Sequence, residues 1–262
     1  MEEARRLIDA ALAIFKRHDD RRNVVSCLME LGRISWLRGD VATARASSDH
    51  AVNLAREVGD QGLIARALVT MGERAMEASR LGEARALYEE ALALMRAVGD
   101  NAGILWVTTN LGELELHDRD YRRAEEYLEK AVSLAEAAGD STGRATALVN
   151  LGLLAILEDD PVTATEHLHL ALQVASRVGV PYLLEGCLEG LAIAAIMEDR
   201  LDMGARLLGA AERVRQETGL HDLPSERPLY EHHIRAAMTA LGQGRWLAGV
   251  AHGKTMAVEE LT

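Results

Sequence analysis

The chain has 262 residues, 48% of them apolar and only 3% aromatic, with a formal net charge of −12. That acidity excludes unspecific binding of nucleic acid or of an anionic membrane by this segment, since both need the opposite sign. No apolar run approaches the ~20 residues of a membrane span, and the start Met1-Glu2-Glu3-Ala4-Arg5-Arg6 lacks the apolar stretch of a signal peptide, which points to the cytoplasm.

With Phe15 the sole phenylalanine, the core must be built of Leu, Ala, Val and Ile, and four prolines leave room for an all-helical chain. The predicted elements begin with a helix over residues 4–17, in which Ala11 matches Ala51 and Ile14 matches Leu54, 40 positions on. It is the second helix of a repeat without its first. The chain therefore starts mid-unit (half repeat 1–20), as a fragment of a longer protein would. Its open face, with Leu7, Ala11 and Ile14, is a surface for homo-oligomer contacts.

Full repeats follow at 21–60, 61–100, 101–140, 141–180 and 181–219, in register at Leu31-Gly32, Met71-Gly72, Leu111-Gly112, Leu151-Gly152 and Leu191-Ala192. Each reads as two antiparallel helices, A and B; in the second full repeat A covers Gln61–Ala78 and B covers Leu81–Val98. Gly59-Asp60, Gly99-Asp100 and Gly139-Asp140 punctuate the repeats. Gly closes helix B in the left-handed conformation, and Asp caps the next helix A. Gly39-Asp40, Arg119-Asp120 and Asp159-Asp160 turn the chain inside a repeat, and Pro161 and Pro181 stand at first helical positions. Small residues such as Gly32, Ala44 and Ala51 mark where A meets B. After Gly219 the register stops: His221–Pro228 is a loop, and helices over Leu229–Leu241 and Trp246–Leu261 form a C-terminal cap, 220–262.

A period of this length means stacked units, each burying its apolar face against its neighbours. The residues resemble tetratricopeptide repeats: Gly72, Ala84 and Ala91, Gly112, Ala124 and Ala131, and Gly152, Ala164 and Ala171 keep the family's spacing, and Leu28, Leu68, Leu148 and Leu188 stand four before the Gly slot. Thr108 departs, the helix B aromatic survives only as Tyr88, and the terminal proline is absent. The resemblance implies an all-α, right-handed α-solenoid over 1–219. Gly-Asp…Ala-Leu-Val-Asn-Leu-Gly, the stretch Gly204–Glu212, Tyr230-Glu231 and Glu259-Glu260 are similar to the C-terminal repeats of bacterial signal-transduction ATPases, LuxR-type and antibiotic-pathway activators among them. That likeness implies a sensor or regulatory array of a larger transcription regulator.

Catalytic chemistry is not supported. Gly253-Lys254-Thr255 ends like a phosphate loop, but Ala248 stands where the first Gly is needed and no strand precedes it. His167 and His169, and His232 and His233, fall on different helix faces, so no metal site is expected, and no cofactor. Cys27 and Cys187 lie four repeats apart, too far for a disulfide, since stacked helices are roughly 8–10 Å apart. Both read as buried thiols of a reducing compartment.

The A helices should line a concave groove. Their ladders are Arg33, Glu73, Glu113, Leu153, Ile193; Ser26, Arg66, Trp106, Thr146, Gly186; Glu30, Thr70, Asn110, Asn150, Gly190; and Trp36, Met76, Leu116, Ile156, Ile196. The first half is polar, whereas the second turns apolar through Leu153, Ile156, Leu157, Ile193, Ile196 and Met197. The apolar part needs a cover, either the C-terminal helices or a partner's amphipathic helix. Arg33, Glu73, Trp106, Asn110, Glu113 and Asn150 are the expected partner-binding residues. The expected function is non-enzymatic: capture of a protein or peptide segment, or of a small effector. A free-standing scaffold is the alternative and an enzyme the remotest reading.

Overall fold

The computed structural model describes residues 2–37, 40–218 and 227–257. Gly39, the expected loop at 221–226 and residues 258–262 with Glu259-Glu260 lie outside the described residues, as does the side chain of Trp36. The chain forms two compact units, Met1–Asp118 and Arg119–Thr262. All regular structure among the described residues is α-helical, as an all-α solenoid requires.

The first unit holds α1 (Glu2–Arg17), α2 (Arg21–Leu37), α3 (Val41–Val58), α4 (Gln61–Glu77), α5 (Leu81–Val98) and α6 (Asn101–Asp118). Helices α2 and α3 pack as one pair and α4 and α5 as the next, and α4 also touches its A-type neighbours α2 and α6. The second unit holds α7 (Tyr121–Ala138), α8 (Ser141–Leu157), α9 (Pro161–Val178), α10 (Pro181–Met197), α11 (Leu201–Thr218), α12 (Arg227–Leu241) and α13 (Gln243–Gly253). Here α8 pairs with α9 and α10 with α11, and α8 touches α10.

The helix limits come from local chemistry. Asp60 accepts from the Leu63 amide at 3.0 Å, Asp100 from Gly103 at 2.9 Å and Asp140 from Gly143 at 2.9 Å. Each removes one of the orphan donors at a helix start, worth about 1 kcal/mol. The preceding Gly59, Gly99 and Gly139 have φ of 75°, 71° and 66°, the left-handed conformation in which Gly pays no Cβ penalty. The turns between A and B are less accommodating. Ser79, Asp159 and Asp199 adopt φ of 57°, 63° and 62° with side chains in place.

Packing uses the small residues. Ala84, Ala91, Ala124, Ala131, Ala164 and Ala171 are fully buried. A Cβ on Gly152 would come within 2.5 Å of Leu168, and one on Gly72 within 2.5 Å of the Tyr88 ring. A large helix B side chain thus fills the space each of these glycines leaves, which is why the Gly slot stays empty of side chain.

The C-terminal helices differ from their expected limits. The first starts at Arg227, and the second begins at Gln243 and ends at Gly253, not at Leu261. Helix α13 packs so tightly on α11 that a Cβ on Gly253 would lie 1.8 Å from the Arg206 carbonyl oxygen and one on Gly209 2.1 Å from that of Val250. Arg213 donates to the Met256 carbonyl at 2.6 Å, and Lys254 Nζ reaches Glu212 at 2.7 Å. Gly253-Lys254-Thr255 is therefore a docked helix end whose lysine is engaged in an ion pair.

Candidate functional site

In the second unit, Leu153, Ile156, Ile193 and Ile196 are buried. Helix α12 lies across α8 and α10, with Tyr230, Ile234 and Ala237 buried on its own inner face. The apolar part of the expected groove is thus covered by the chain itself. Asn150 is buried on α8 in this unit. In the middle of α12 the His232 and His233 rings lie 3.9 Å apart. Burial, and then the charge of His232, holds His233 below the ordinary histidine range, against the pull of Asp159.

The first unit carries the polar site. Helix α4 presents Glu73, Arg74 and Glu77 within little more than one turn. Arg74 Nη1 lies 3.0 Å from Glu77 Oε2 and its Nη2 lies 3.7 Å from Glu73 Oε2, with the arginine side chain only 11% exposed. From α6, Asn110 Nδ2 donates to Glu73 Oε1 at 3.3 Å, and half-buried Trp106 adds a second hydrogen bond to that carboxylate. Of the expected site residues, Glu73, Trp106 and Asn110 therefore meet. Arg33 is exposed on α2, holds Glu30 at 2.7 Å, and reaches Glu73 only through its charge. Glu113 is half-buried on α6, where its charge is felt by Tyr88.

Burial raises the Glu73 carboxyl above the usual range, opposed by Arg74, Asn110, Trp106 and Arg33. Burial pushes Glu77 up to about 7, with Arg74 pulling down and Glu73 pushing up. Beneath them sits Tyr88 of α5, fully buried. Its hydroxyl has no hydrogen-bond partner among the described residues. Burial raises its pKa, as do Glu73, Glu113 and Glu77, while Arg74 opposes them. Also on α6, the fully buried Glu115 and the half-exposed Asp118 share Arg85 of α5; Arg85 reaches Asp118 at 2.6 Å.

Sequence reading missed Arg74, Glu77 and Tyr88. The signal was present in the ladders. Arg74 stands where Ile34, Leu114, Leu154 and Ala194 stand, and Tyr88 where Leu128 and Leu168 stand. Polar residues in otherwise apolar slots are the departures worth noticing. Cys27 and Cys187 are buried free thiols, and burial pushes Cys187 up to about 12. Among the described residues no His, Cys, Asp and Glu group is arranged to hold a metal ion, and no helix is long and apolar enough to cross a membrane.

Such a cluster of carboxylates, amide and indole can accept a polar group. Comparison with known proteins agrees on the type of chain. The tetratricopeptide repeat model matches residues 24–97 and 63–137, so tetratricopeptide repeats are recognised over 24–137. No curated protein matches the sequence. Among solved structures, BtubC from P. vanneervenii is 19% identical, with a TM-score of 0.67 over 84% of this chain and 92% of that one. Aspartyl phosphate phosphatase F from Bacillus subtilis is 16% identical, with a TM-score of 0.64 over 91% of this chain and 66% of that one. A signal transduction ATPase with numerous domains, carrying a tetratricopeptide repeat sensor, from Pyrococcus horikoshii is 16% identical, with a TM-score of 0.66 over 96% of this chain and 39% of that one. At such identities the likeness is one of fold. Stacked repeats of this kind are, as a rule, protein-interaction modules.

Proposed function

We propose that the chain is a non-enzymatic capture module that binds a protein or peptide segment on the A-helix face of its first unit. The observation that carries this reading is the Glu73–Asn110–Trp106 cluster. Two A helices there place a carboxylate, an amide and a half-buried indole side by side at a partly exposed surface. Aromatic anchors beside oriented polar groups are the usual composition of a binding hot spot. Arg33 and Glu113 extend that surface, and Asn150 is proposed as a separate partner contact on the second unit. A small effector is the other occupant of this kind.

In the finer reading, the repeat array over 1–219 and its cap over 220–262 form the sensor or regulatory part of a larger bacterial transcription regulator in the cytoplasm. Occupancy would change the populations of helix arrangements and so bias an attached ATPase. The fold likeness to a sensor of that kind supports this, as do the repeat phrases shared with such regulators. Helix α1 adds a self-association surface, with Leu7 and Ile14 exposed.

Selection of displayed peptides on the full chain tests the capture reading. Peptides enriched on the natural sequence should lose at least tenfold in affinity for the Trp106→Ala/Asn110→Ala double variant, whose melting temperature should stay within a few degrees. Equal affinity for both proteins removes the A-helix face of the first unit as the binding surface. An ATPase domain in frame upstream of Met1 is the expected finding for the regulator reading, and a stop codon there leaves a free-standing scaffold.

A further inference from the structure

One helix B slot takes a large side chain in every full repeat but the first. Tyr88, Leu128, Leu168 and Leu208 occupy it, and α3 has Ser48 there instead. Leu168 is fully buried and fills the space over both Gly152 of its own pair and Gly190 of the following A helix. Ser48 is buried too, but its hydroxyl turns back and donates to the Ala44 carbonyl at 3.1 Å. A serine is too short to reach the following A helix, α4, as Leu168 reaches α10.

A cavity of about 170 Å³ lies at that place, between α3, α4 and the start of α5, with Val41, Ala44, Ser48, Met71 and Ala78 in its walls. The matching place in the second unit, between α9, α10 and the start of α11, holds about 70 Å³. The two are in register: Met71 corresponds to Leu191, Ala78 to Glu198 and Arg80 to Arg200. The larger space reaches down to Ala44 and Ser48; the smaller one stops short of their equivalents, Ala164 and Leu168. Packed interiors leave few voids larger than a water molecule, and a void of this size costs stability. Water settles in a cavity only where several polar groups hold it, and these walls are mostly apolar. Arg74 also borders the space, but Glu77 at 3.0 Å and Glu73 at 3.7 Å take up its charge.

The rim carries two ion pairs from different elements. Arg45 lies 3.9 Å from Asp49 on α3, and Arg80 pairs with Glu83 at the start of α5; all four side chains are exposed to solvent. Each pair sets N–H donors beside carboxylate acceptors without net charge. That is the complement of a peptide group, which has one donor, one acceptor and no charge. We propose that this cavity anchors one branched aliphatic side chain, leucine in size, carried by a partner protein segment whose peptide groups meet the two ion pairs. An apolar cavity of about 150 Å³ takes a benzene-sized molecule, so there is room for a leucine side chain. Val41 favours a chain-borne group over a free molecule. It is 54% exposed at the rim, where a ligand confined to the cavity would leave it bare and a segment crossing the mouth would cover it. The site goes beyond the capture reading: it is separate from the Glu73–Asn110–Trp106 surface, and neither needs the other.

The test uses the full chain on a solid support and three pools of N-acetylated, C-amidated nonapeptides. Each pool is random in Gly, Ser, Asn, Gln and Thr except for a fixed central residue: leucine, alanine or glutamate. On the natural sequence the leucine pool should be retained about tenfold over the alanine pool, and the glutamate pool no better than alanine. Ser48→Leu fills the cavity with the residue that three other repeats place there. It should melt several degrees higher and bring the leucine advantage down to near one. Trp106→Ala/Asn110→Ala should keep the advantage. The isotope-labelled methyl signal of Met71, assigned through Met71→Leu, gives a reading that needs no substitution in the cavity. It should move with the leucine pool and stay in place with the alanine pool. Equal retention of the leucine and alanine pools overturns the proposal, as does a Met71 signal that the leucine pool leaves unmoved. A glutamate pool held as well as leucine also overturns it, because the arginines then read a carboxylate. So does a leucine advantage that survives Ser48→Leu or disappears in Trp106→Ala/Asn110→Ala, since the preference then belongs to another surface. Peptides selected on the A-helix face depend on Trp106 and Asn110 and not on Ser48, so the capture surface stands if the anchor fails.

Discussion

The two compact units use one repeat grammar and reach opposite surfaces. In the first unit the A helices present Arg33, Glu73, Arg74, Glu77 and Asn110; in the second the corresponding ladders run through Leu153, Leu154, Leu157, Ile193 and Met197. The caps, glycine turns and alanine contacts are alike in both, so they cannot be the cause. The cause lies in a handful of A-helix slots and in what covers them. The second unit lays α12 over α8 and α10. Within the first unit no further helix among the described residues lies on α2, α4 and α6 in that way. An apolar face that the chain covers itself contributes to stability. A polar face with buried carboxylates costs stability.

The comparison is broken most forcefully from the apolar side. Leu168 is fully buried and fills the space over Gly152. Leu168→Ala should cost about 2–5 kcal/mol, measured as a lower urea midpoint. A cost below about 1 kcal/mol would mean that the second unit is not held by this packing. The next effect concerns acid titration in the first unit. Glu77 is raised from 4.5 to about 7, so the folded state binds more protons than the unfolded one between those values. Its contribution is fully present below pH 4.5 and is lost as pH rises through about 7. Glu77→Gln should therefore gain on the natural sequence as pH rises, by up to about 3 kcal/mol near pH 8. Half-buried His117, whose pKa is lowered, changes stability in the opposite sense on acidification, but it is common to both proteins and cancels in the difference. A flat difference curve from pH 5 to pH 8 would show that Glu77 titrates normally.

Much of this could be read from sequence because it is local. Gly59-Asp60 specifies a left-handed residue and a cap through its own atoms, and the helix limits of α4 and α5 follow within a residue or so. The ladders needed only the period, and they placed Glu73, Trp106 and Asn110 on a common face. The rest depended on tertiary packing. Arg74 and Tyr88 sit in slots that a repeat pattern assigns to the core, so their polarity reads as noise until the carboxylates around them are seen. The end of α13 was overestimated for a similar reason: Gly253 is fixed by the approach of its backbone to Arg206, and no periodicity records that.

The comparison sharpens further in the helix B slot. Tyr88→Phe removes a buried hydroxyl without a partner and leaves the ring over Gly72. In the absence of ligand it should stabilise the fold by about 1 kcal/mol, seen as a rise in melting temperature. A loss of stability would instead mean that the hydroxyl is satisfied in solution.

The smallest expected effect lies in the turns between A and B. Ser79 in the first unit and Asp199 in the second hold φ of 57° and 62°. A left-handed residue with a Cβ costs roughly 1–2 kcal/mol, least for Asn and Asp, whose short polar side chains bond to the local backbone. Glycine removes that strain but adds conformational freedom to the unfolded chain, an opposing term of about 0.5–1 kcal/mol. Ser79→Gly should therefore gain a net of about 0.5 kcal/mol, while Asp199→Gly should be close to neutral. Paired denaturation curves of the two variants decide it. A gain at Asp199 equal to that at Ser79 would show that the aspartate's side chain does not relieve the turn, and that the two units end their A helices under the same strain.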